Sequence, residues 1–124
     1  MSSQVVSPEK TTVLFRPGEN ELRLIVESGY RAFPRRLSGQ PIFYPVLNEE
    51  YATQIARDWN AKNSASKVGF VTRFAMKTEY LAQFTPHKVG GTIHIEYWIP
   101  AEKLEEFNQN IVGLIEVISE FRSE

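Results

Sequence analysis

Three side chains in this sequence of 124 residues combine a useful chemistry with an unusual setting: Arg16, Tyr44 and Glu96. Arg16 closes the apolar run Val13-Leu14-Phe15 just before Pro17-Gly18. A planar guanidinium at that point can clamp a diphosphate bidentately, and a solvated strand-end arginine is the plainer alternative. Tyr44 follows Ile42-Phe43 and precedes Pro45, so its ring serves either as packing at a core or rim or as a stacking platform. Glu96 stands inside the apolar frame from Ile93 to Ile99. Carboxylates are seldom buried without a purpose, although an exposed strand face would account for it cheaply. His94 shares the strand parity of Glu96, but two such groups do not make a metal site, and none is expected. Trp98 has the same parity. It belongs either at the rim of a cleft or beneath the following helix against Leu104 or Phe107, and packing is the favoured reading. His87, in Thr85-Pro86-His87-Lys88, reads as a loop residue. Arg31, Arg35 and Arg36 lie among Pro34 and Gly39, and a solvated basic loop is preferred there to an anion-binding rim.

The elements that must position these groups follow from hydrophobic period and punctuation. Residues 11–16 are β-branched and aromatic and read as a strand ending at Pro17-Gly18. Asn20 is expected to cap a helix over 20–28 with Leu22, Ile25 and Val26 on one face, ending at Gly29. Ile42-Phe43-Tyr44 is a short strand. Asn48 caps the clearest helix, 48–61, in which Tyr51, Ala52, Ile55, Ala56 and Trp59 recur at helical spacing. Residues 67–76 and 92–99 alternate as strands, with Thr78 expected to cap a turn between them. Pro100 opens a short helix bearing Leu104 and Phe107, and 111–121 reads as the last strand, although its stretch IVGLIEVI can also be read as helix. The expected architecture is α+β: a single small domain, 11–124, behind a flexible leader, 1–10. Its mixed, split sheet is flanked by short helices. Val13, Phe15, Ile25, Ile55, Phe70, Phe74, Ile95 and Ile115 are the expected core.

Composition narrows the chemistry further. Fourteen basic residues against fifteen acidic ones give a net charge of −1, which argues against a nucleic-acid or anionic membrane surface. The chain has no cysteine, so disulfides, thiolate metal sites and cysteine nucleophiles are excluded. Gly90-Gly91 is an isolated pair rather than a phosphate loop, and no serine sits in a nucleophile elbow. No apolar run is long enough to span a bilayer. The start, Met1-Ser2-Ser3-Gln4, has neither a basic nor an apolar signal region, so a cytoplasmic setting is expected.

The segments LFRPG, PIFYPVLNEEYATQIARDW, GFVTRF, EYWIPAEKLEEFN and NIVGLIEVI resemble a group of short bacterial proteins labelled ADP-ribosylation/crystallin J1. That resemblance spans Val13 to Phe121. More remotely, the order of features is similar to the ADP-ribosyltransferase fold. It implies that NAD is a substrate and that an unknown protein is the acceptor. Arg16 would hold the NAD diphosphate or ribose, and Tyr44 would stack on nicotinamide. Glu96 would be the catalytic carboxylate, stabilising the oxocarbenium as nicotinamide leaves. His94 would stand where such enzymes carry the Glu or Gln that orients the acceptor. The chain departs from the pattern in lacking a Ser-Thr-Ser motif on the second strand and in carrying His94. A module on the same fold that binds a small ligand or a protein without catalysis is the alternative.

Overall fold

The computed structural model describes residues 9–63 and 67–122. Most of the leader assigned to 1–10, and residues 64–66 and 123–124, lie outside the described residues. Strand β1 (Lys10–Phe15) is set by Thr11-Thr12-Val13-Leu14, whose branched side chains suit a pleated surface. It pairs antiparallel with β3 (Val68–Lys77), which pairs in turn with β7 (Ile111–Arg122). Beyond β1 the ladder continues through a single residue. Val46 bridges Leu14 on one side and Glu96 on the other, and the latter lies in β5 (Ile95–Glu96). Reciprocal bonds between Leu14 and Val46, of 2.9 and 2.8 Å, make the first bridge, and Tyr97 N–H to Pro45 O at 2.8 Å supports the second. The two-residue β4 (His87–Lys88) pairs with β5, whereas β2 (Ile42–Phe43) and β6 (Ile99–Pro100) form a separate pair. The expected split is therefore present. Each of these ladders is antiparallel, so the mixture lies in helix and strand rather than in strand direction.

One face of the β1–β3–β7 sheet carries Val13, Phe15, Phe74, Met76 and Ile115, packed with Ile25, Phe33, Phe43, Ile99 and Phe107. The other face carries Leu14, Val46 and Val71 beneath Ala52 and Ala56. Helices cover both faces. Helix α1 (Glu19–Glu27) supplies Ile25, and α2 (Glu49–Gln54) runs on through a π-helical segment (Ile55–Asn60) into α3 (Ala61–Asn63). α4 (Thr78–Leu81) follows β3, and α5 (Leu104–Gln109) follows a 3-10 turn over Ala101–Lys103. Among the described residues, no helix is long and apolar enough to cross a membrane.

Several local expectations are corrected. The cap of α1 is Gly18 rather than Asn20. Glu21 accepts the Gly18 N–H at 3.1 Å, so the Pro-Gly turn itself starts the helix. Thr78 lies inside its turn, after Lys77, and its hydroxyl pairs with that of Thr11. The apolar run at 92–99 is divided because β5 and β6 serve different partners. Ile55 and Ile95 are only half-buried, since the first opens the π segment beside a cleft and the second lies in a two-residue strand. Phe33, Phe43 and Phe107 fill the core with the six other residues named for it. Phe33 is drawn in from the basic loop by Asn108, whose side chain bonds both the N–H and the carbonyl of Phe33, at 2.9 and 3.0 Å.

Candidate functional site

Strand bridges and side-chain contacts place the three residues singled out by chemistry. Leu14, Val46 and Glu96 form one cross-strand row, and His87 continues it opposite Glu96. Arg16 is two residues beyond Leu14, Tyr44 two before Val46 and Trp98 two after Glu96. All three lie just outside their strands, and their contacts place them: Arg16 and Tyr44 share a cleft with Ile55, Trp59 and Asn60 of the π segment, and Trp98 reaches α2 through Glu96 and Tyr51. Arg16 and Tyr44 line a single cleft of about 270 Å³ at the end of β1, together with Glu21, Arg36, Trp59 and Asn60. An Arg16 guanidinium N–H donates to the Tyr44 carbonyl, and the Asn60 amide donates to the Arg16 carbonyl at 3.1 Å. Glu96 is not part of that lining. It stands in the neighbouring row, within electrostatic reach of Arg16.

Glu96 is half-buried and held at both oxygens. The Trp98 indole N–H donates to Oε1 at 2.8 Å, and the Tyr51 hydroxyl donates to Oε2 at 3.1 Å. Trp98 is 44% exposed and stacks on His87 with centroids 3.7 Å apart and planes 8° apart. It is thus an exposed residue held by His87 and Glu96, contrary to the favoured expectation that it packs against Leu104 or Phe107, and it does not line the cleft that Arg16 and Tyr44 share. Tyr97, of opposite parity, enters the core. His94 touches the Tyr51 ring, with centroids 4.6 Å apart. Its Nδ1 accepts the Gly91 N–H at 2.9 Å, so the ring proton sits on Nε2, which faces Gln54 Oε1 at 3.1 Å. Gly90 permits this approach, because a Cβ there would lie 2.6 Å from Nδ1.

The charges interact across the row. Burial pushes the Arg16 pKa down, Glu96 is the strongest influence raising it again, and Arg36 adds to the lowering. Among the described residues Arg16 has no ion pair. Arg31 and Arg35 are exposed, as a solvated loop requires, whereas Arg36 turns inward onto Glu21 at 3.1 Å. For Arg36 the less favoured of the two sequence readings, a residue of a cleft lining, is the one that fits, while Tyr51, Gln54 and His87 were not legible as site residues. Tyr51 has the spacing of a helix-face apolar residue, and the two-residue β4 has no periodicity to detect.

These contacts set a pH limit. Burial raises the pKa of Tyr51, helped by the charge and hydrogen bond of Glu96. Burial also raises Tyr80, helped by its bond to Glu106, and Tyr97. The folded state therefore favours the neutral phenol. This contribution is fully present below the ordinary phenol value of 10.0 and is lost as pH rises through the higher folded values. Stability should decline above about pH 10. A phenolate absorbance titration should show these three of the five tyrosines ionising late. Ionisation of all five at the ordinary value, with the fold intact, would contradict it.

No family model matches this chain, and neither a curated protein nor a solved structure matches it.

Proposed function

We propose that this protein is an ADP-ribosyltransferase-like enzyme that uses NAD as substrate, with Arg16, Tyr44, His94 and Glu96 as its site and a protein as the acceptor. The observation that supports this reading is that Arg16 and Tyr44 line one cleft while the Glu96 charge, one bridge away through Val46, acts on the Arg16 cation. An Arg16 guanidinium without an ion pair fits the charge of a diphosphate. In the reaction the bond between ribose C1′ and the nicotinamide nitrogen breaks, and its electron pair neutralises the leaving pyridinium. Positive charge then develops on C1′ and the ring oxygen. The Glu96 carboxylate, held by Trp98 and Tyr51, is a preorganised counter-charge for that cation. An acceptor oxygen attacks C1′ and releases its proton to solvent, and water in the same place makes the enzyme an NAD hydrolase. The reading carries with it kinship to the group labelled ADP-ribosylation/crystallin J1 and a cytoplasmic setting.

One observation favours a second reading, a binding module without catalysis. Both carboxylate oxygens of Glu96 already accept hydrogen bonds inside the protein, so a ribose hydroxyl must share or displace a donor. Calorimetric titration with NAD tests the binding that the transferase reading requires. Arg16→Gln should weaken NAD binding by roughly tenfold to a hundredfold, the scale of a charge-assisted hydrogen bond. Absence of binding heat in the unmodified protein would defeat the transferase reading and leave the binding module.

A further inference from the structure

Arg36 is the residue that the resemblance leaves without a role and that the structure treats most unusually. It comes from a loop whose other arginines face solvent, yet its side chain is only 13% exposed. One end of its guanidinium is fixed by Glu21 at 3.1 Å. Its Nε–H, by contrast, is buried without a hydrogen-bond partner among the described residues. A buried N–H left without an acceptor is costly, and such groups are rare in folded proteins.

The surroundings hold this fork in place. The Arg36 guanidinium lies 5.7 Å from the centre of the Phe43 ring, and that of Arg16 lies 5.3 Å from the centre of Phe15. Those two rings are themselves 4.5 Å apart, both arginines line the one cleft, and the Arg36 charge acts on Arg16. Two guanidinium groups and one carboxylate, Glu21, line the cleft, which leaves one positive charge uncompensated in its lining. Two neighbouring cations repel each other unless an anion lies between them. The volume of about 270 Å³ is below the ~300 Å³ lower end of pockets for drug-sized ligands, so it suits the diphosphate part of a ligand whose remainder extends outside it.

We infer that this cleft is a diphosphate site in which Arg36 is a second clamp beside Arg16, donating to a phosphoryl oxygen from the Nη2 that its bond to Glu21 leaves unpaired among the described residues. The inference rests on the proposed function only in sharing Arg16, and it extends to any ligand with a diphosphate group. The fork is preorganised by Glu21 and Phe43, so little side-chain entropy is lost when the ligand arrives. Trp59, 64% exposed at the mouth, offers a ring past which the rest of a nucleoside diphosphate can extend.

The test uses the full chain and calorimetry, with inorganic pyrophosphate and ADP as the probes. Both should bind, with affinity falling as salt is raised. Arg36→Gln should weaken pyrophosphate by roughly tenfold to a hundredfold. Arg31→Gln, in the exposed part of the same loop, should leave affinity unchanged. Arg36→Lys keeps a cation for Glu21 but loses the fork, so it should also bind more weakly, and it carries the test if the glutamine variant fails to fold. The inference is overturned if pyrophosphate gives no binding heat, if the Arg31 and Arg36 variants lose affinity equally, or if Arg36→Lys binds as well as the parent. It fails separately from the proposed function. Pyrophosphate binding that depends on Arg36, in a protein that never cleaves NAD, sinks only the transferase. NAD cleavage alongside pyrophosphate binding indifferent to Arg36 sinks only the second clamp.

Discussion

Replacing Phe43 by alanine is expected to lower the free energy of unfolding by about 3–5 kcal/mol, the scale of large-to-small changes at buried aromatics. Phe43 is 1% exposed and meets Phe15, Phe33 and Phe107 at centroid distances of 4.5, 5.1 and 5.4 Å. These partners come from a strand, the basic loop and a late helix, so the cavity would open where three parts of the chain converge. Little can collapse into it, because β2 is only two residues long and is pinned opposite Ile99 and Pro100. The loss should reach the cleft as well, since Arg36 lies over the same ring. Urea unfolding measures the change, with Leu37→Ala as a control. Leu37 is 73% exposed, and its truncation should stay within about 0.5 kcal/mol. A Phe43→Ala protein no less stable than that control would contradict the packing described.

Adding one methyl group elsewhere should cost nearly as much. A Cβ at Gly69 would lie 2.1 Å from the Ala56 carbonyl oxygen, 2.9 Å from its carbon and 3.0 Å from the Asn60 Cβ. The first two are backbone atoms of the π segment and cannot swing aside as the end of a side chain could. Ala56 is itself buried against Leu14 and Val71, so the whole segment must lift from β3. Gly69→Ala should therefore destabilise at the upper end of the overpacking range, about 3 kcal/mol. Lifting the segment also moves Asn60 away from the Arg16 carbonyl and Trp59 away from the cleft. Thermal unfolding should show the lowered midpoint, and tryptophan fluorescence the altered Trp59 environment. An unchanged midpoint would mean that the π segment does not seat on Gly69.

The parts legible in the sequence are those set by local pattern. Val13-Leu14-Phe15 and the alternation after Lys67 read correctly as strands because each buries residues on both faces. Asn48 could be read as a cap because its side chain needs only the Tyr51 N–H three residues away. What escaped depends on contacts distant in sequence. Phe33 and Arg36 sit among Pro, Gly and Arg, a composition that signals solvent. Asn108 draws Phe33 inward, and Glu21 with Phe43 draws in Arg36. The π segment is equally silent, since its register depends on the approach of Gly69 from another strand. At the site, parity alone could place Glu96 and Trp98 on one face. It could not show that Val46 links Glu96 to β1, because a single-residue bridge has no period.

The central claim is that Glu96 stabilises a positive charge developing on ribose. Nicotinamide release from NAD, followed in the unmodified protein and in Glu96→Gln, tests it most directly. The amide keeps the size of the side chain and one acceptor oxygen, so binding should persist while the negative charge is lost. The account expects measurable release by the unmodified protein and a fall of roughly a hundredfold to a thousandfold in Glu96→Gln, the scale of losing one preorganised electrostatic contact. NAD binding should change little. If the unmodified protein binds NAD but releases no nicotinamide over a long incubation with candidate acceptors present, or if Glu96→Gln releases it as fast, the claim is contradicted.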